Sequence, residues 1–178
     1  MTNHVIDTNV LIVASGEHAD SPFLSSDHPV ENPELADIVL QWLSMFIDSN
    51  KLLVVDTNGA IYKEYCNKLS DQNYGRRAYI DKHDKGQIYY VDLAWDDMDP
   101  DWTAKLSEEL KAIVHDRSDR KMVAACINAN SENHQTTIVN ACDTDWIGWE
   151  EGLQGAGVIV EQLIDEWVRA KWAEKQLN

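Results

Sequence analysis

The feature that most restricts how this chain can fold is an alternation. Short apolar runs recur along the sequence, and helical patterns separate them. Val5-Ile6 lead into Asp7, and Val10 to Ala14 continue apolar. Leu52 to Val55 ends at Asp56, Ile88 to Leu93 is β-branched and aromatic, Thr136 to Asn140 reads TTIVN, and Gly157 to Val160 is a further strand candidate. From Asn32 to Ile47, the residues Leu35, Ile38, Val39, Trp42, Leu43, Phe46 and Ile47 share one helical face. Asn32 is placed to cap that helix, and Pro33 suits its first position. Thr57 to Leu69, Trp102 to Val114 and Ser118 to Ala129 carry the same spacing. A last helix is expected near 160–176, with Trp172 off its apolar stripe. Strands alternating with helices predict an α/β fold, a three-layer α/β/α sandwich around a central, mostly parallel sheet of about five strands. At 178 residues the chain reads as a single domain, 1–178, with a loop insertion near 16–30 where Ser, Asp, His and Pro show no period.

Composition removes several classes. There are 31 Asp+Glu against 15 Lys+Arg, a formal charge of −16. So acidic a chain repels polyanions except where charge is locally redistributed or cancelled by a cation, which argues against a basic DNA-binding module. No apolar run approaches a membrane span, and the first residues lack the order of a signal peptide. Cys66, Cys126 and Cys142 form no CxxC pair and suit a reducing, cytoplasmic setting. No HxxxH or HExxH spacing points to zinc.

In an open parallel sheet, ligands bind beyond the carboxyl ends of the strands. Acids gather there in the sequence. Asp7 closes the first strand, Glu64 lies on the helix after the second, Asp116 and Asp119 open the Ser118 helix, and Asp143 and Asp145 follow TTIVN. Several carboxylates brought together stay ionised only beside a compensating cation. Oxygen-only ligands suit Mg²⁺ or Mn²⁺, as one ion or two, and such ions promote phosphodiester hydrolysis by metal-activated water.

The string Val5-Ile6-Asp7-Thr8-Asn9-Val10-Leu11-Ile12 resembles the opening motif of PIN-domain nucleases. By that resemblance Asp7 matches the first metal-binding acid, with Asn9 or Thr8 at the polar position that supports it. Glu64, Asp119 (in Asp116-Arg117-Ser118-Asp119-Arg120-Lys121) and Asp143 match the later acids in order, and Asp145-Trp146 stands where the family often has Asp-Phe. The likeness runs from residue 4 to about 160. Where the family has Thr or Ser before its fourth acid, this chain has Asn140 and Cys142, and either Asp143 or Asp145 fits as the ligand. The resemblance implies a metal-dependent endoribonuclease with Asp7, Glu64, Asp119 and Asp143 as the catalytic set, supported by Asn9, Asp116 and Asp145. It also implies an RNA substrate, a toxin or phage-defence role, an inhibitor or antitoxin protein as partner, and a homo-oligomer. The other reading is a catalytically silent PIN-like scaffold that binds RNA or a protein.

Each singled-out group also has a structural reading. Asp56 is expected to cap the next helix rather than bind metal. Asp116 reads equally as a cap, and Asp145 as ligand or support. Arg76, Arg77, Lys82 and Lys85 are candidate phosphate contacts, or a solvated helix face balanced by Asp81 and Asp84. His115 reads as a surface histidine, Trp146 and Trp149 as packing beside the site, and Trp95 and Trp102 as core residues or base-stacking platforms. Two other enzyme classes fall away. An aspartate-nucleophile phosphatase wants a second Asp where Asn9 stands, and Gly152, Gly155 and Gly157 do not form a dinucleotide-binding GxGxxG.

Overall fold

The structure, a computed structural model, describes residues 2–18, 29–98 and 102–177. In chain order its elements are β1 (Asn3–Ile6), α1 (Thr8–Glu17), α2 (Pro33–Asp48), β2 (Leu53–Asp56), α3 (Ala60–Lys68), α4 (Tyr74–Asp84), β3 (Ile88–Val91), β4 (Trp95–Asp97), β5 (Thr103–Ala104), α5 (Glu108–Ile113), α6 (Arg120–Ser131), β6 (Thr136–Asn140), α7 (Asp145–Gly155), β7 (Val160–Gln162) and α8 (Asp165–Gln176). Five strands form one sheet in the order β3-β2-β1-β6-β7. Every pairing in it is parallel. Helices cover both faces, giving the three-layer α/β/α sandwich that the alternation predicted. One hydrophobic cluster runs through β1, β2, β6 and the helices packed on them. β1 and β2 are buried at every position, as strands covered on both faces must be. The short β4 and β5 pair antiparallel as a separate sheet.

The ends of α2 follow the sequence closely. Asn32 accepts from the Glu34 amide, and Pro33 opens the helix. Other boundaries differ. Val10 to Ala14, which continues apolar after Asp7, is not an extension of the first strand. It is the middle of α1, a helix buried on nearly all sides between α2, α3 and α4, so its sequence carries no polar face to reveal the period. Gly16 and Glu17 belong to that helix, and the rest of the expected loop, 19–28, lies outside the described residues. Trp102 to Val114 is not one helix. It splits into β5 and the short α5, which Ser107 caps by accepting from Leu110. The final helix begins at Asp165, not near 160, because Val160 pairs with Ile138 in β7. Gly157 has φ 78, so the fifth strand starts only after that turn residue.

The strand order fixes where a site can form. The chain steps from β1 outward to β2 and β3, then returns to the other side of β1 with β6 and β7. The reversal lies between β1 and β6, and the crevice beyond their carboxyl ends is where such sheets bind ligands. The opening there is held by close packing elsewhere. Gly75 lets α4 approach α1 so tightly that a Cβ would lie 2.6 Å from the Leu11 carbonyl oxygen.

Candidate functional site

Asp7 leaves β1 at the reversal point and serves α1 as its N-cap. One carboxylate oxygen accepts from the Asn9 amide at 2.8 Å, the other from the indole of Trp146 at 2.6 Å. The side chain is 6% exposed. Burial, together with the charges of Asp143 and Glu64, pushes its pKa up to about 7 against the two hydrogen bonds that lower it. Trp146 is itself fully buried at the start of α7. It does more than pack beside the site, since it is one of the two donors that hold the first acid.

Glu64 projects from α3 toward α1 and α6. Thr8 donates to it at 2.5 Å, and the ammonium of Lys121 pairs with it at 2.5 Å. Lys121 is 5% exposed and also donates to the Ser118 carbonyl. The sequence did not single it out. Its only signal was a cation two residues after Asp119, a spacing too common to carry weight.

Asp119 is the N-cap residue of α6, yet its side chain makes no cap hydrogen bond. No hydrogen bond or ion pair to this half-buried carboxylate is found among the described residues. Burial, then the charges of Asp7, Asp116, Asp143 and Glu64, push its pKa up to about 9. Asp119 thus feels the charge of each other acid of the catalytic expectation, and Asp7 that of Asp143 and Glu64. Asp143 is also raised, by burial first and then by Asp145, while the Asp145 amide bonded to it and Lys175 oppose the rise.

The flanking acids sit differently. Asp116 is exposed and accepts from both the amide and the hydroxyl of Ser118, a turn-forming role. Asp145 pairs with Lys175 of α8 at 2.9 Å. Asp56 is buried and accepts from the Ala60 and Ile61 amides, capping α3. His115 is exposed and accepts from Trp149.

The side chain of Asn9 bonds the end of β6 and the loop after it rather than a carboxylate. Its amide group donates to Asn140 at 2.8 Å and accepts from the Ala141 amide at 2.9 Å. Asn140, fully buried, donates in turn to the Asp143 carbonyl and to Gln162. This chain of amides ties the carboxyl ends of β1, β6 and β7 together and sets the loop that carries Asp143. Asn140 does the anchoring at this point of the loop.

The basic stretch of α4 lies elsewhere. Lys82 is buried and donates to the carbonyls of Ser49 and Lys51 and to Gln87, at 2.9 Å each. Lys85 donates to Ile47. Both hold the segment entering β2, the end of the sheet opposite the acids. Arg76 pairs with Asp71 and lies over the Tyr62 ring, and Arg77 is exposed. Lys82 and Lys85 are therefore spent on the fold rather than turned toward the acid cleft.

Among the described residues, no group of three or more His, Cys, Asp or Glu side chains is placed so that it could hold a metal ion. The reason is visible in the partners. Asp7 is turned to Trp146, and Glu64 to Thr8 and Lys121. The donor chemistry nonetheless suits a hard divalent cation, because the acid cluster is oxygen-only and Asp119 is a carboxylate with no donor of its own. Comparisons with protein-family models, with curated proteins and with solved structures found no match. Among the described residues no helix is long and apolar enough to cross a membrane.

Proposed function

We propose that this chain is a divalent-metal-dependent nuclease, an endoribonuclease of PIN-like type. The observation that carries the reading is Asp119. It is a half-buried acid without a donor, raised to about 9 by burial and then by the charges of Asp7, Asp116, Asp143 and Glu64. Such an arrangement costs stability, and a bound Mg²⁺ or Mn²⁺ would remove that cost. Asp7, Glu64, Asp119 and Asp143 would hold the ion, with Asp145 near enough to Asp143 to assist. When bound, the cation supplies Lewis-acid chemistry, making water a nucleophile at neutral pH and stabilising charge at phosphorus. The chain's own part is to fix the acids. Trp146 and the Asn9 amide orient Asp7, Thr8 orients Glu64, and the Asn9-Asn140 link positions the Asp143 loop.

A second reading has a specific observation behind it. Lys121 already neutralises Glu64, as it would in a scaffold that binds without cutting. Manganese titration separates the two. The nuclease reading expects Mn²⁺ to raise the melting temperature of the wild type and not that of Asp119→Asn. It also expects RNA fragments ending in 5′-phosphate and 3′-hydroxyl. Absence of both effects leaves the scaffold, and a 2′,3′-cyclic phosphate end refutes water as the nucleophile.

A further inference from the structure

A cleft of about 540 Å³ opens between α3 and the segment that leads into α6. Glu64 and Lys121 line its inner end, so it is continuous with the acid cluster. Its walls also carry Lys63 and Lys68 from α3, Asp116 and Arg117 from the opposite side, and Trp102. Four cations, with Lys121, thus face the two carboxylates of Glu64 and Asp116, a local reversal of sign in a chain of charge −16. The ammonium groups of Lys63 and Lys68 are exposed and have no acidic partner among the described residues. Arg117 meets Asp97 only at 3.6 Å, between two exposed side chains, a pair of the kind that exchanges readily for another anion. Trp102 is half-buried against Trp95 in an edge-to-face arrangement, with centroids 5.0 Å apart.

We propose that this cleft is a channel for a single strand of nucleic acid, with Lys63, Lys68 and Arg117 on the backbone phosphates and Trp102 against a base. Cations that track a backbone, with an aromatic face beside them, are the recurring solution for single strands. A duplex hides its base faces from Trp102. It would also press a wider phosphate surface onto the surrounding acidic protein. The channel replaces the α4 stretch as the route to the acids. It borrows the identity of its ligand from the nuclease reading, but its geometry does not depend on catalysis.

The test measures binding of short fluorescein-labelled oligonucleotides to the full chain in EDTA, over a salt series. Single-stranded RNA, single-stranded DNA and duplex are the three arms. The channel expects single strands of one or both sugars to bind more tightly than duplex. Lys63→Glu with Lys68→Glu should weaken binding about tenfold or more, and losing two phosphate contacts should flatten the salt slope by about 1.4. Trp102→Ala should weaken binding roughly 5- to 100-fold with the slope unchanged, and Trp102→Phe should restore most of it. Arg77→Glu, on exposed α4, should change nothing. The lysine variants lie on an exposed surface and should melt with the wild type. Unchanged affinity in them, preference for duplex, or no binding of any single strand overturns the channel. If RNA is still cut in Mn²⁺ while these variants bind normally, only the channel fails. If the variants lose binding but the wild type never cuts, only the nuclease reading fails.

Discussion

Replacing Asp7 by Asn should stabilise the metal-free protein at neutral and alkaline pH, although it removes a capping carboxylate. An acid moved from 3.8 to about 7 resists ionisation at pH 8 by about 4 kcal/mol, at about 1.4 kcal/mol for each tenfold. Asparagine escapes that cost. Its oxygen can still accept from the Asn9 amide, but its amino group would face the Trp146 N–H, leaving a buried donor unpaired at about 1–3 kcal/mol. The net gain at pH 8 is about 1–3 kcal/mol. The sign reverses in acid. Because the folded pKa is raised, the wild type has its full stability below 3.8, loses it as the pH climbs to about 7, and stays level above. Below about pH 4, therefore, only the lost Trp146 bond remains, and the variant should be the weaker protein. Urea unfolding in EDTA, followed by tryptophan fluorescence from about pH 4 to 8, reads both arms. Mn²⁺ at a hundred times its Kd should return about 2.7 kcal/mol to the wild type alone. A variant less stable than wild type at pH 8, or a difference that ignores pH, would show that Asp7 is not a strained acid.

Three further outcomes follow from the packing. Asn140→Ala leaves the Asn9 amide, the Asp143 amide and Gln162 without their partner, and should cost roughly 3 kcal/mol in urea unfolding. A loss under about 0.5 kcal/mol would mean that the amide chain is ornamental. Gly75→Ala should destabilise by roughly 2 kcal/mol, since the new methyl meets backbone of α1, whereas Gly152→Ala meets side-chain atoms of Ile113 alone, nearest its terminal methyl, and should be milder. Equal effects would refute the close approach. Burial pushes the thiols of Cys126 and Cys142 up to about 12, so iodoacetamide at about pH 8 should modify the native chain first at Cys66. Comparable labelling of all three, read by mass spectrometry, would contradict this burial.

The parts of the fold legible in the sequence were those where one period dominates. TTIVN matches β6 residue for residue, and α2 announces its cap and most of its face, although Ile38, expected inward, is exposed and Ala36 is buried instead. α1 was hidden because a helix enclosed by three others needs no polar side. The early start expected for α8 arose from coincidence. Val160, Ile164 and Val168 are spaced like a helix face, yet the first of them belongs to a strand. The four acids could be nominated because Asp7 and Asp143 follow strands, while Glu64 and Asp119 stand on recognisable helices. Lys121, Trp146 and Asn140 could not be assigned their roles, since each acts on a residue far away in the chain. The same holds for the cleft cations, whose nearness depends on how α3 and α6 dock.

The amide link between Asn9 and Asn140 joins residues 131 positions apart, and Trp146 reaches Asp7 across 139. While the chain is being synthesised, β1, α1 and β2 leave the ribosome long before either partner exists. During that interval Asp7 has lost neither its water nor its ordinary acidity, because nothing yet encloses it. The cleft comes into being only when β6, far beyond β2 in the chain, pairs with β1. Timing is therefore part of the architecture. Until that pairing forms, Asp7 and Asp143 belong to segments that nothing yet holds together.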